Sequence, residues 1–532
     1  MSSRQKIKEF QKTFYDQLIL RAKELEAPSK ELEEYRKNQQ HYITRSFKEA
    51  SIDKLIDRAS HSQIIYLGDF HTFDQNTKNL QRLLKEMNNN GEPIIMAFEF
   101  IHHKKQKYID YYLNGHLTEL EFLEEINFRE SWRFPWHHYK PFFELAKKDG
   151  HKIIGLNHNG SLYQRDCLAA KVITENYIDY PHVKMIVLFG ELHITPNKLP
   201  ALVEKEIPNI EQLIIHQNLD YPYWSKEGKV AEVIEFGPNE FSIQSSPPWI
   251  KYESMIYWYE NLIEDPEFDL HEIELEKGLK LFNSNVMGNF LNLCEKLNHS
   301  LGLHLKKEDI TVFELLDYNG LEQIQNDVLG LQTEKEIDFY NHLLQSSTAF
   351  KLPHKNKYFC PSYSLNRMAS LVGVHLRTIT TGYSQLSLNS KYDFFLEVLF
   401  QSALSFFCSK TINHYRKCNH YADIKRLIEQ ATASKKKEFT ISLNILDALS
   451  SRDTLEKTIR SHTYKSLYRP IRHVGKIIGE LAFNSYIKEE NEEEANLIKN
   501  LLFSETGPEV LETLLEHISY NQIYTEASKR VF

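Results

Sequence analysis

The chain has 532 residues, with 64 Lys and Arg against 73 Asp and Glu and a formal charge of −9. That balance excludes general electrostatic attraction to nucleic acid or anionic lipid, and the length accommodates a large α/β domain beside a helical one. Five scattered cysteines, none in a Cys-x-x-Cys pair, and a charged N-terminus without an apolar leader lead us to expect a reducing, cytoplasmic setting without a membrane span.

Residues 1–60 are rich in Lys and Glu, with apolar residues such as Phe10, Phe14, Leu18 and Ala22 at helical spacing. They read as two amphipathic helices packed on a sheet domain, the alternative being a solvated arm that binds a partner. From Gln63 short apolar runs alternate with helical stretches. Ile64 to His71 is a strand, Thr77 to Asn89 a helix closed by Gly91, Pro93 to Phe100 a strand, and Lys104 to Asn127 helical. An aromatic, irregular segment from Trp132 to Tyr139 leads to a helix ended by Gly150. Lys152 to Asn157 is the third strand, Leu162 to Tyr177 a helix, and Met185 to His193 and Glu211 to Gln217 the next two strands. A hairpin around Gly237-Pro238-Asn239 closes residues 61–248. Alternation of this kind predicts a mainly parallel sheet covered by helices on both faces. Pro247-Pro248-Trp249 marks the boundary to residues 249–532, an all-α C-terminal domain with long amphipathic segments at Glu272 to Leu301, Glu334 to Gln345, Tyr392 to Arg416 and Glu494 to Leu502.

The chemistry lies where strands stop. Two of them end in the same pattern of glycine, acid, apolar residue and histidine: Gly68-Asp69-Phe70-His71 and Gly190-Glu191-Leu192-His193. Glycine lets the backbone turn, and the polar side chains then stand beyond the carboxyl end of the sheet, where open α/β sheets hold their sites. If every strand ends at one edge, Asp69, His71, Glu99, Asn157, Glu191 and His193 converge there. His71, Glu99 and His193 could hold a divalent metal with an open position for water, while Asp69 or Glu191 serves as base and Arg165 steadies a developing oxyanion. The plainer alternative is that Glu99 pairs with Arg165 for structure alone. A second cluster, Trp136-His137-His138-Tyr139, could floor a pocket or ligate haem iron, or else Trp132, Trp136 and Tyr139 simply pack a loop on the sheet. His414, Cys418 and His420 bring ligand types together in the helical part, read here as a packed or solvated helix. No Gly-rich phosphate loop or Gly-x-Ser-x-Gly elbow is present, which disfavours nucleotide-driven and serine-hydrolase chemistry.

These residues resemble the ChaN-like haem-binding family, within the superfamily that also holds Tiki-type metal-dependent proteases and the erythromycin esterases. Its carriers are Leu67 to His71, Ala97-Phe98-Glu99-Phe100, Trp136 to Tyr139 with Pro141, Phe142 and Ala146, Arg165-Asp166, and Gly190 to His193. The resemblance implies an α/β domain whose His71, Glu99 and His193 bind metal and activate water in the proteolytic branch, or haem at a homodimer interface in the ChaN branch. Asp69 stands where Glu is usual and a long helical region is added, which argues against a cell-surface haem-uptake role. The expectation is a metal-dependent hydrolase of an amide or ester, acting on a small molecule or peptide. Its alternatives are a non-catalytic haem-binding protein, and a protein-interaction module with an inactive site.

Overall fold

The computed structural model describes residues 3–87, 92–132, 134–226, 230–261, 286–317, 320–353, 355–361, 364–382, 386, 388–488, 492–518 and 520–524. Contacts among the described residues divide them into two compact units, one of residues 15–261, the other of residues 3–14 with 286–524.

The first unit is built on an eight-stranded sheet. Its strands are β1 (Lys48–Ala50), β2 (Ile64–Asp69), β3 (Ile95–His102), β4 (Lys152–Asn157), β5 (Met185–Gly190), β6 (Gln212–Gln217), β7 (Val233–Gly237) and β8 (Glu240–Ile243), in the spatial order β1-β7-β8-β6-β2-β5-β3-β4. From β8 through β4 every neighbour is parallel, and β1 and β7 add an antiparallel edge. The strands are apolar on both faces because both are covered. Ile65, Leu67, Met96, Phe98 and Leu188 join one core with Leu80, Leu83, Trp136 and Phe142. Ile64, Tyr66, Ile95, Ala97 and Val187 join another with Ala169, Ile173, Leu199 and Val203. Each such side chain contributes about 1.5–3 kcal/mol when fully buried, so the strand ends inherit a rigid platform.

Three local readings change. The N-terminal stretch holds a third helix, Ile52–His61, and the short strand β1, whose Lys48 neighbours Glu235 on β7. The Lys104 to Asn127 stretch is broken into the helices Gln106–Leu113 and Glu119–Glu125, the second started by a Thr118–Glu121 capping box. The sheet unit continues past Trp249 through the helix Pro248–Asn261, because Trp249 packs on Tyr223 and the Tyr252 hydroxyl donates to Asp220. Two prolines ended the strand pattern there without ending the unit. The turn at Asn89 to Gly91, and residues 272–285 of the helix predicted from Glu272, lie outside the described residues.

The second unit is mainly helical, with a small sheet of β9 (Glu314–Leu316), β10 (Phe350–Lys351) and β11 (Lys357–Phe359) that periodicity did not reveal. Its central helix, Lys391–Ile412, is long and apolar enough to cross a membrane by length and composition. Here it is buried on almost every side, and its Glu397 and Lys410 pair with Arg377 and Glu480. A helix apolar all round is what a helical core requires. The neighbouring helix Tyr464–Tyr486 approaches it through glycines: a Cβ on Gly475 would lie 2.6 Å from Ser402 Cβ and 2.7 Å from the Leu399 carbonyl, and one on Gly479 would overlap the Ala403 carbonyl.

Candidate functional site

The carboxyl ends of β2, β3 and β5 open onto a cleft of about 720 Å³. Asp69, His71, Glu99, Arg165, Glu191 and His193 all line it, with Phe70, Phe134, Trp224, Tyr252 and Trp258 in its walls. The volume lies within the roughly 300–1,000 Å³ of small-ligand pockets.

Gly190 is the floor on which the predicted groups meet. A Cβ there would lie 3.1 Å from Glu99 Oε2, 3.2 Å from His193 Cδ2 and 3.5 Å from His71 Cε1. Glu99 accepts the Gly190 N–H at 2.6 Å and pairs through its other oxygen with Arg165. Burial alone would raise its pKa, but Arg165, the two imidazoles and that N–H outweigh it and hold the carboxyl below its ordinary range.

Each imidazole has its own carboxylate. Asp69 accepts from His71 Nδ1 at 2.9 Å and from the Tyr139 hydroxyl at 3.2 Å, and Trp132 Nε1 donates to that hydroxyl. His71 Nε2 faces Glu99 Oε2 at 3.8 Å, between the rings of Trp132 and Phe134. Burial pulls the His71 pKa down; the Asp69 bond and the charges of Glu99 and Asp69 outweigh it, and the net shift is upward. His193 Nδ1 bonds Asp166 at 2.5 Å, and Asp166 also accepts from the Tyr35 hydroxyl at 2.8 Å.

Glu191 departs from its predicted role as a base. It bonds His216 Nδ1 at 2.6 Å, and His216 Nε2 lies 3.2 Å from Glu240, itself paired with Arg45. Gly68 makes room for it, since a Cβ there would overlap the Glu191 carboxylate. The cause is register. Asp69 lies opposite Gly190 on the neighbouring strand, so the two motifs are staggered by one residue and their equivalent positions point to opposite faces.

The second predicted cluster does not reach the cleft. Trp136, His138 and Tyr139 are 2 %, 6 % and 1 % exposed; Trp136 packs on Phe100, Phe122 and Phe128, and burial pushes the His138 pKa down to about 3. His137, on the same turn, does not line the cleft either. The packing alternative holds for these rings, and Tyr139 serves Asp69. Asn157 lies at the exit of the edge strand β4, opposite His102, where its carbonyl bonds His103. It is therefore two strands away from β5 and separate from the set.

Neither implied group fits these residues as they stand. Among the described residues, the metal-donor types that close to within 4.8 Å of one another are His102, His103 and His158, and Cys418, His420 and Glu480; His71, Glu99 and His193 do not all do so. A guanidinium and an N–H already occupy Glu99. The residues proposed for haem lie under the sheet, which leaves His71, 24 % exposed, as the half-open imidazole of the cleft.

Residues 55–165 match the family model described as "Haem-binding uptake, Tiki superfamily, ChaN". The sheet unit carries a ChaN/Tiki-superfamily domain. No curated protein matches the chain. Among solved structures, "Cofacial heme binding to ChaN of Campylobacter jejuni" is similar at 12 % identity and a TM-score of 0.28, over 37 % of this chain and 92 % of that one. "The structure of the type III effector HopBA1" is similar at 15 % identity and a TM-score of 0.24, over 34 % and 88 %. Sequence reading of this ChaN/Tiki domain found Asp69, His71, Glu99, Arg165 and His193, and assigned no role to Asp166, Tyr35 or His216. The pairing of Asp166 with Arg165 in one helical turn was the available signal for the first; Tyr35 comes from the helix Lys30–Ile43 and left none.

Proposed function

We propose that the ChaN/Tiki domain hydrolyses an ester or amide of a small apolar molecule or peptide held in the aromatic cleft, by general acid–base catalysis. The observation that carries this reading is a pair of carboxylate-oriented imidazoles, Asp69–His71 and Asp166–His193, on either side of the Glu99–Arg165 ion pair. A carboxylate on Nδ1 selects one tautomer and leaves Nε2 for proton transfer. In this scheme neutral His71 takes a proton from water as the oxygen adds to the substrate carbonyl. Arg165, pinned by Glu99, faces the developing negative oxygen, and the imidazolium formed on His71 returns its proton to the leaving atom, with His193 as the second oriented imidazole of the site. Five scattered cysteines, none in a Cys-x-x-Cys pair, favour a reducing, cytoplasmic setting.

A panel of chromogenic esters and peptide amides tests the proposal. The expected result is turnover that survives dialysis against a chelator and falls about 10²–10⁴-fold in His71→Ala. The raised His71 pKa sets the sign of the pH profile: activity grows as pH rises through a value above that of a free imidazole, and Asp69→Asn moves that limb to lower pH while reducing the rate. Turnover indifferent to His71→Ala would remove the reading. The family description and the aromatic walls favour a second reading, haem binding on His71. A Soret band lost in His71→Ala and kept in Tyr139→Phe, without hydrolysis, would put it first.

A further inference from the structure

The helical unit holds a half-open cavity of about 460 Å³ whose wall carries five cations, Lys351, Arg367, Arg416, Arg472 and Lys476, and, among the described residues, no carboxylate. They arrive from different elements: β10, the first turn of the helix Leu365–Thr381, the segment after Lys391–Ile412, and one face of Tyr464–Tyr486, where Arg472 and Lys476 stand four residues apart. Like charges at that spacing repel. Glu480 pairs with Lys410 and His420 and also attracts Arg416, and Glu438 lies near Arg469 and His473 and also attracts Lys476, yet neither acid lines the hollow itself. Lys351 is 8 % exposed and donates to the Lys355 and Leu352 carbonyls, and Arg416 donates to the Ser409 hydroxyl at 2.5 Å.

Arg416, Arg472 and Lys476 face this one hollow together, which is costly unless something offsets their charge. The cost shows in the groups themselves. Burial pushes Lys351 down to about 8; burial, then Arg472 and Arg416, push Lys476 down to about 8; burial pushes Arg416 down to about 10. The rest of the wall suits phosphate oxygens. Gln401, Ser402 and Ser405 face the hollow from the central helix, and Ser364, which caps Leu365–Thr381, stands beside Asn366, whose buried amide oxygen has no partner among the described residues. Amide oxygen and nitrogen are interchangeable in such an assignment, so Asn366 can present a donor.

We propose that this cavity binds a small polyphosphorylated anion. Each phosphate carries about −1.5 to −2, so two of them match Arg416, Arg472 and Lys476, and each accepts several charge-assisted hydrogen bonds. The volume of the hollow fits a small molecule.

The full-length chain is titrated with tripolyphosphate at physiological salt, by calorimetry and thermal unfolding, with sulfate at matched ionic strength as control. Tripolyphosphate is expected to bind and raise the unfolding midpoint where sulfate does not. The affinity falls at least about tenfold in Lys476→Gln and at least about a hundredfold in Arg472→Gln with Lys476→Gln. Without ligand, Lys476→Gln is expected to be as stable as the parent or more so, because one repulsion is gone; a purely structural lysine would lower the midpoint instead. Adenosine triphosphate and inositol hexakisphosphate, run in parallel, distinguish a linear phosphate chain from a ring carrying several phosphates. Equal responses to sulfate and tripolyphosphate, or unchanged affinity in the double variant, would overturn the proposal.

Discussion

The two hollows of this protein handle charge in opposite ways. In the cleft of the ChaN/Tiki domain the charged groups stand in pairs or chains: Asp69 with His71, Glu99 with Arg165, Asp166 with His193, and Glu191 through His216 to Glu240 and Arg45. Two cations in its walls, Arg36 and Lys251, rest on Glu26 and Asp220. The cavity of the helical unit collects positive charge with no carboxylate in its described wall. A neutralised network holds its own side chains in place and is ready for proton traffic, whereas a one-signed hollow gains its stability from what enters it.

The sharpest way to break this contrast is to unbalance the cleft. Arg165→Met strands the Glu99 carboxylate under the sheet edge, and urea unfolding should show a loss of about 3–5 kcal/mol. A loss below about 1 kcal/mol would mean that water reaches Glu99 and that the pairing is incidental.

The next effect needs no mutation. His216 lies between two carboxylates; burial opposes its charge, but Glu191 and Glu240 prevail and push its pKa up to about 9 from 6.5. A group raised on folding stabilises fully below its unfolded pKa and loses that contribution as pH climbs through the folded value. Stability should therefore decline between about pH 6.5 and 9 by on the order of 3 kcal/mol, measured as midpoint against pH, and His216→Asn should flatten that slope. A parent profile flat across this range would show that His216 is neutral.

The smallest effect has the opposite sign. Removing a cation from the helical cavity by Lys476→Gln should leave stability unchanged or raise it by up to about 1 kcal/mol in low salt, and added salt should erase the gain. Set against Arg165→Met, it measures directly which hollow is balanced.

Much of the fold was legible because buried strands announce themselves. Ile64 to Leu67 and Met185 to Phe189 are apolar without interruption, and glycine followed by acid and histidine marks where each stops. His71, Glu99 and His193 could be placed at one edge because parallel strands deliver their ends there, and Arg165 because it opens the helix that follows β4. What misled was the likeness of the two endings. A repeated motif suggests repeated roles, yet the one-residue stagger sends Asp69 to its own histidine and Glu191 to His216, leaving His193 to Asp166 from another helix. Pairing register is a tertiary fact, absent from either motif alone. The aromatic run at Trp132 to Tyr139 was legible as apolar but not as to which face it would cover. The five-cation cavity was hidden more completely, since its members lie far apart in the chain and each alone passes for a surface residue.

The glycine contacts between Tyr464–Tyr486 and Lys391–Ile412 set a dimension. With Gly475 and Gly479 laid against the backbone at Leu399 and Ala403, no rotamer change can wedge those two helices apart or let one slide along the other. Arg472 and Lys476 ride on one of them, and Gln401, Ser402 and Ser405 on the other. The hollow thus has two walls cast at a set gauge, and it would sort its guests by girth as well as by charge.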